Sequence, residues 1–337
     1  MRTVRRALSL RGWLFRISLS ALALLSTLGG RVPSPALAVD LKVGDVTITV
    51  DDGVELGYRE RVVKKLPRGS EIVVTEVRDP WIGGEAKIEG ETVKGWVHKR
   101  ELRRAAIKFE GADAADEAAA LAALKKVGVT DESDDENHVQ VLDATDTGLP
   151  DGALVLLKKF PKLNTLVLSG TAVTDEGLAA LKELKTLEFL YIDRTEITDK
   201  GLESLAGLEN LVVLVLERTR VTGGGIASLK PLAELRTLNL GRCPVEDKQL
   251  EQLAELKNLE VVTLSHAGLK GDGLKFLQPL PKLRVLNISD NPIPEEKLFA
   301  LKNAPILKML YIRGMKVSDD TVEQLKATLN SCAVYRW

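Results

Sequence analysis

The side chains most often used in catalysis and metal binding are few in this sequence and lie far apart. They are His98, His138, His266, Cys243 and Cys332. Their separations match no metal-ligand spacing, and the chain has no GxSxG or GxxxxGK[ST] signature and no GxGxxG before a helix. Ser265 and His266 are neighbours, but in a strand they would point in different directions, which argues against a nucleophile and base. The sequence therefore predicts no catalytic residue, metal site or cofactor.

Charged side chains recur at a fixed distance. Arg194, Arg218, Arg242 and His266 follow one another at intervals of 24 residues, and an acid precedes each of the first two. Neighbouring arginines at this spacing repel by roughly 1 kcal/mol per pair in water. Either the acids offset this charge in a solvated ion-pair ladder, or the column binds an anionic partner, and the sequence leaves both interpretations open.

This column belongs to a repeat that covers most of the chain. The pattern LxxLxL begins at Leu163 and returns every 24 residues in seven copies, with a degenerate copy at 139–144 and one more strand predicted in CAVYRW. Leucines two apart indicate a short strand with one buried face. The following VTDEGLAALKEL (173–184) has helical spacing, and Thr174 or Asp175 can cap its first turn.

Such units cannot bury their apolar faces alone, so they must stack into an α/β solenoid with parallel strands inside and helices outside. Over roughly residues 112–337 the pattern LxxLxxLxLxxTxVTDxGL resembles the leucine-rich-repeat family, in its 24-residue ribonuclease-inhibitor-like or GALA-like variety. The family has Asn or Cys where the strand turns away, bonded to neighbouring repeats. We expect the threonines in that column to make the same bonds. The column reads Thr147, Thr171, Thr195, Thr219, Cys243, Ala267, Asn291 and Met315.

The repeat also predicts the state of the two cysteines. Cys243 lies in this buried column, and Cys332 lies on the closing strand nearly four strand spacings away, at ~4.8 Å each. That distance exceeds the ~7 Å limit between the Cα atoms of a disulfide. Both are therefore expected to be buried free thiols.

A partner-binding surface is predicted on the concave side of the strands. Phe189, Tyr191, Val213 and Val215 are expected to form one exposed apolar patch. Arginines and aromatic residues together are typical of interface hot spots. The predicted concave site comprises Phe189, Tyr191, Val213, Val215, Arg194, Arg218, Arg242, His266 and Tyr311.

Residues 39–106 lack the repeat and form a predicted small β-barrel. Alternating segments at 46–50, 71–77 and 86–98 are separated by turn signals at 51–53, 67–69 and 83–84. LPRGSEIVV, then Trp81, then GWVHKREL resembles the bacterial SH3-like domain. The resemblance implies a groove for a peptide or cell-wall material, lined here by Tyr58, Trp81 and Trp96. The alternative is that Trp81 and Trp96 fill the core of the small domain.

The remaining segments indicate export and a cap. Residues 1–38 combine arginines, a short apolar run and Ala36-Leu37-Ala38, as a secretory signal peptide does. An uncleaved anchor is the other interpretation of this segment. Residues 107–138 are predicted as a linker and a helical cap, in which the acidic run at 130–137 lacks calcium-loop spacing and is expected to be a solvated connector. Residues 139–337 are the predicted solenoid.

Composition narrows the class of partner. Removing residues 1–38 takes away six of the 47 basic side chains and none of the 48 acidic ones, which argues against a nucleic-acid binder. The sequence predicts a non-enzymatic exported protein, periplasmic, envelope-associated or secreted. We expect a protein or peptide on the concave face, no small-molecule substrate, and cell-wall material at the SH3-like domain. The alternative is a structural envelope component in which the solenoid is a spacer.

Overall fold

The structure, a computed structural model, describes most of the chain beyond its N-terminal segment. The described ranges are 46–49, 54–58, 61–68, 70–78, 81–98, 102–104, 109–110, 112–302, 304–329 and 332–336. The predicted signal peptide and the turn at 51–53 lie outside them. No helix within these ranges is both long enough and apolar enough to cross a membrane.

The repeats form one sheet of ten strands in sequence order, as the 24-residue pattern predicts. Strands β9 to β17 are parallel, and each residue lies opposite the one 24 positions later, as Leu166 does with Leu190. The strands are β8 (Thr130–Ser133), β9 (Val139–Asp143), β10 (Thr165–Val167), β11 (Phe189–Tyr191), β12 (Val213–Val215), β13 (Thr237–Asn239), β14 (Val261–Thr263), β15 (Val285–Asn287), β16 (Met309–Tyr311) and β17 (Ala333–Tyr335).

Short helices return the chain from the end of each strand to the start of the next. The α-helices are α1 (Glu117–Lys125), α2 (Asp175–Leu178), α3 (Asp199–Leu202), α4 (Leu250–Leu253) and α5 (Asp319–Thr328). The 3-10 helices are Asp151–Lys159, Ala179–Glu183, Glu203–Leu205, Gly224–Leu229, Asp247–Gln249, Leu274–Phe276 and Glu295–Leu301. The predicted helix at 173–184 is thus one α-turn followed by a 3-10 turn.

Thr174 and Asp175 have different roles at this helix start. The Thr174 hydroxyl accepts from the backbone N–H of Glu176 at 3.3 Å and caps α2. Asp175 instead accepts from the backbone N–H of Thr198 at 2.8 Å and from its hydroxyl at 2.6 Å, one repeat later. Asp151 and Asp199 hold Thr174 and Thr222 in the same way. A column of acids therefore links consecutive repeats on the helical side.

The leucine positions form one continuous core from α1 to Cys332. The middle leucines of neighbouring strands, such as Leu190, Leu214 and Leu238, are completely buried. Burying one leucine side chain contributes about 1.5–3 kcal/mol, and each unit gains it only against its neighbours. The core explains why the chain keeps the 24-residue interval.

The N-terminal cap of the solenoid consists of helix α1 and strand β8, which precede the first repeat. Helix α1 is capped by Asp116, whose carboxylate accepts from the N–H of Ala119 at 2.9 Å, and it buries Ala120 and Leu124 in the core of the solenoid. The segment 130–137 is largely exposed, as predicted, but Thr130–Ser133 is more than a connector. This segment is strand β8, which pairs antiparallel with β9 and covers the first edge of the parallel sheet.

The prediction for the threonine column is wrong. Thr171, Thr195 and Thr219 donate to the carbonyl three residues earlier in their own repeat, at 2.6–2.8 Å. Asn291 donates to Leu264 O at 2.8 Å, and Cys243 donates to Leu216 O at 3.1 Å, both one repeat back. A threonine has a single donor hydrogen on a short side chain, and its own turn takes it.

Residues 46–104 form an antiparallel sheet of seven strands in the order β3-β2-β6-β5-β4-β1-β7. The strands are β1 (Val46–Thr49), β2 (Val54–Tyr58), β3 (Arg61–Leu66), β4 (Glu71–Arg78), β5 (Trp81–Ile88), β6 (Glu91–His98) and β7 (Leu102–Arg104). The segment 86–98, predicted as one strand, is a hairpin that turns at Glu89-Gly90, both with positive φ. Gly83 and Gly84, predicted as a turn, lie inside β5.

Candidate functional site: the open face of the solenoid and its turn column

One residue per repeat, at the turn after the strand, has a left-handed backbone. These eight residues, called the turn column, are Asp146, Gly170, Arg194, Arg218, Arg242, His266, Asp290 and Gly314, with φ between 54° and 70°. Each is the third residue of a four-residue turn, such as the one closed by Thr219 N–H on Leu216 O at 3.2 Å. Glycine is favoured at this position, and another residue costs about 1 kcal/mol there.

Ion pairs neutralise the first arginine of the turn column. Arg194 lies 2.6 Å from Asp146 and 3.3 Å from Asp193. The bridge to Asp146 passes over Gly170, where a Cβ atom would come within 2.0 Å of the Asp146 carboxylate. Burial lowers the pKa of Arg194, but Asp193 and Asp146 outweigh it and the pKa is raised overall. At Arg194 the structure therefore shows the first of the two interpretations that the sequence left open, in which acids offset the charge of the arginine.

The next repeat contains a charged pair of a different kind. Arg218 is buried, with 8% of its surface exposed. Burial, and then the charge of Asp193, raise the pKa of Glu217, while Arg218, Asn239 and Arg242 lower it. Arg218 is therefore not the exposed contact that the sequence predicted, because its side chain is buried and lies close enough to Glu217 to lower that pKa.

The side chains of Arg242 and His266 remain open to solvent. Their side chains are 38% and 41% exposed, and their nearest carboxylates are those of Glu217 at 3.9 Å and Asp290 at 3.5 Å. Burial, and then the charge of Arg242, lower the pKa of His266, while Asp290 raises it; Arg218 and Arg313 lower it further. The electrostatic environment of His266 is therefore positive.

The predicted apolar patch is not exposed. Phe189, Val213 and Val215 are only 9%, 3% and 6% exposed and pack together as a small cluster, with Tyr191 partly buried beside them. Because parallel strands place these side chains in register about 4.8 Å apart, each packs against the one before and after it. Burial also raises the pKa of Tyr191. The sequence placed these residues on the face opposite the leucine core, but it did not predict their burial.

Exposed aromatic surface is found instead at the C-terminal end of the open face, which is the side of the ten-stranded sheet turned away from the leucine core. The rings of Tyr311 and Tyr335 are stacked with centroids 4.7 Å apart and planes 10° from parallel. Tyr335 is 42% exposed. Tyr311 was predicted from the sequence and Tyr335 was missed, although the closing strand puts it 24 residues after Tyr311.

The two tryptophans of the N-terminal sheet do not lie in its core, so that alternative is wrong. The core consists of Leu66, Ile72, Val74, Ile82, Ala86, Val97 and Leu102. Trp81 is 49% exposed and makes an edge contact with His98 at 5.3 Å. Trp96 lies over Gly83, and the guanidinium of Arg78 lies 5.0 Å from its ring centroid. The side chain of Tyr58 lies outside the described residues.

Arg68, in the turn after β3, joins the two sheets. Its guanidinium donates to Thr195 O at 2.8 Å and to Arg218 O at 3.2 Å, which are carbonyls of two consecutive repeats. Its Nε lies 3.5 Å from Glu196, which also pairs with Arg220 at 2.6 Å. The N-terminal sheet therefore contacts the solenoid at the turns that carry the arginines.

The cysteines and histidines show no shared site. Cys243 and Cys332 are free and buried, as predicted, and burial raises the pKa of each thiol to about 11. His138 pairs with Glu117 at 3.2 Å in the cap. In the part of the chain that the structure describes, no three His, Cys, Asp or Glu side chains are grouped so as to hold a metal ion.

Comparison with known families identifies the repeat. A family model described as "Leucine Rich repeat" matches residues 161–182 and 183–206. The chain contains leucine-rich repeats. An internalin from Listeria monocytogenes is similar in structure, with 21% identity, a TM-score of 0.45 and coverage of 66% of this chain and 67% of that one. No curated protein matches the sequence.

A second similar structure is the leucine-rich-repeat ectodomain of the receptor kinase GASSHO1/SCHENGEN3 from Arabidopsis thaliana. It shows 20% identity and a TM-score of 0.42, and the match covers 61% of this chain and 25% of the ectodomain. That ectodomain was solved in complex with CASPARIAN STRIP INTEGRITY FACTOR 2.

Proposed function

We propose that this chain is an exported, non-enzymatic binding protein that holds a protein or peptide on the open face of its repeat sheet. The observation that carries the proposal is the surface at the C-terminal half of that face. There Tyr311 and Tyr335 are stacked on the last two strands, and the solvent-exposed side chains of Arg242 and His266 follow β13 and β14, two or more repeats away. Aromatic rings with low conformational entropy and arginines are the groups that contribute most at protein interfaces.

The proposed binding surface therefore differs from the one predicted from the sequence. Phe189, Val213 and Val215 support the sheet by packing on one another, and Arg194 and Arg218 are held by acids or buried. Replacing these residues would disturb stability. Substitutions that leave the packing of the sheet intact can be made at four residues with accessible side chains: Tyr311, Tyr335, Arg242 and His266.

The test is affinity capture with the full chain. Replacing both Tyr311 and Tyr335 with serine should remove at least nine tenths of the captured partner. The control is Val155→Ser, which changes a 40% exposed apolar residue on the helical side. Equal capture by the tyrosine variant and the control would reject the open face as the binding surface.

The N-terminal sheet is proposed to be an SH3-like domain that contacts cell-wall material. Trp81 supports this role because it is half exposed and lies on the same face as Trp96, whose ring packs against Gly83. In the full chain, Trp81→Ala should reduce cosedimentation with purified peptidoglycan. Lys87→Ala, on the same strand, is the control. If both variants sediment like the unchanged chain, Trp81 has no such role.

A second candidate is a structural envelope component in which the solenoid is a spacer. The contact of Arg68 with two repeats favours it, because that contact holds the N-terminal sheet at a fixed place on the solenoid. The capture experiment separates the two candidates, since a spacer needs no partner at Tyr311 and Tyr335.

A further inference from the structure

The C-terminal half of the turn column differs from the first half in the residue that precedes each cation. Asp193 and Glu217 precede Arg194 and Arg218, whereas Gly241 and Ser265 precede Arg242 and His266. In the next two repeats Ser289 precedes Asp290, and Arg313 precedes Gly314. We call Gly241, Arg242, Ser265, His266, Ser289 and Arg313 the basic shelf. Arg242 and His266 follow small residues where the earlier arginines follow acids, and Asp290 is the one acid of the turn column beside the shelf.

Polar groups surround Gly241 closely. A Cβ atom there would come within 3.1 Å of both Ser265 Oγ and Asn239 Oδ1 and within 3.6 Å of the carboxyl carbon of Glu217, so only glycine fits beside Arg242. Ser289 Oγ accepts from the backbone N–H of Arg313 at 3.1 Å, so it is fixed in place. Arg313 itself is exposed, and no ion pair within the described ranges involves it. The shelf therefore combines open cations with hydroxyl and backbone groups at one edge of the open face.

The backbone geometry gives an independent reason to assign a role to these side chains. Arg242 and His266 have φ of 58° and 54°, whereas Gly170 and Gly314 occupy the same turn in other repeats without strain. A strained non-glycine residue retained where glycine fits points to a function of the side chain. In the first half, Arg194 has a structural use in its ion pair of 2.6 Å with Asp146, whereas the contacts of Arg242 with Glu217 and of His266 with Asp290 are longer, at 3.9 and 3.5 Å.

We propose that the basic shelf binds the carboxylates of an acidic, extended peptide segment of the partner, an inference that rests on the proposed protein-binding function. Arg242 and Arg313 are three repeats apart, about 14 Å at the strand spacing. Carboxylates four residues apart on one side of an extended peptide are separated by the same distance, about 13–14 Å. The shelf has too few cations for a nucleic acid, whose binding depends on many phosphate contacts.

The contact should be sensitive to pH through His266. The charged groups around its ring are Arg242, Arg218 and Arg313, which lower its pKa, and Asp290, which raises it. The lowered pKa leaves the ring neutral near pH 7.5, and stronger acidification adds a positive charge to the shelf. Binding of an acidic peptide therefore tightens as the pH falls below the usual range of a histidine, and the His266→Gln variant loses this change.

The test uses the full chain and a fluorescent ten-residue peptide of alternating Glu and Gly, with the Gln-Gly peptide for comparison. Replacing both Arg242 and Arg313 with Gln should weaken Glu-peptide binding at least tenfold. The matched control replaces Arg236 and Arg284, exposed arginines at the other ends of β13 and β15, with the same loss of charge. Equal weakening in the control, or equal binding of the Gln peptide, would overturn the proposal.

The outcomes also separate this inference from the function on which it rests. If partner capture depends on Tyr311 and Tyr335 but the Glu peptide does not bind, the shelf is wrong and the binding function stands. If the Glu peptide needs Arg242 and Arg313 but the tyrosines have no effect on capture, the shelf stands and the proposed function is wrong.

Discussion

The acids that link consecutive repeats should be worth several times an ordinary surface contact. Asp175 accepts two hydrogen bonds from Thr198, at 2.8 and 2.6 Å, and both residues are half-buried. A hydrogen bond to a charged group contributes about 1.5–3 kcal/mol, and partial exposure reduces this toward the lower end. Asp175→Ala should therefore lower the free energy of unfolding by about 2–4 kcal/mol.

The assay is urea unfolding followed by circular dichroism. With a slope of about 2–3 kcal/mol per molar urea, the midpoint should fall by roughly 1 M. Glu176→Ala is the control, because Glu176 is exposed in the same turn and its side chain makes no bond to the next repeat. Asp175→Asn should fall between the two, since an amide oxygen can keep one of the bonds. A midpoint for Asp175→Ala within 0.2 M of the control would refute the reasoning.

Two further predictions concern the thiols and the contact between the sheets. With a pKa of about 11, Cys243 and Cys332 are almost entirely protonated at pH 8, so both should react with a thiol reagent at least about 100-fold more slowly than a free cysteine. Equal rates before and after unfolding would contradict this. Arg68→Ala removes the bonds to Thr195 and Arg218, so small-angle scattering should give a larger radius of gyration. Lys65→Ala, exposed on β3, should leave it unchanged, and an unchanged radius in both would show that Arg68 does not hold the sheets together.

The repeat could be predicted from the sequence because each buried position of the core requires an apolar residue. A leucine that must fall inside the core recurs at one interval, and so Leu190, Leu214 and Leu238 fix both the strands and their register. The same interval pointed to the last strand and to Cys243 as a buried thiol. On the opposite face of the sheet, no repeated residue type tells which side chains are exposed. Phe189 and Val213 are buried by their neighbours in register, which a pattern of residue types does not reveal.

The left-handed turn column could have been predicted from the sequence but was not. Gly170 and Gly314 occur at the same 24-residue interval as Arg194 and Arg242, and a glycine in that column is the usual mark of positive φ. In the N-terminal sheet, the turn at Glu89-Gly90 could have been found in the same way. Strands β2 and β3 could not, because alternation in segments this short is weak evidence for pairing.

The central claim is that the C-terminal half of the open face is the surface that binds. The most direct measurement places a photo-cross-linking residue at position 335, on the open face, or at position 155, on the helical side, and exposes each chain to the acidic peptide. The account predicts a cross-linked product at 335 and none at 155. Equal cross-linking at both positions, or a product only at 155, would contradict it.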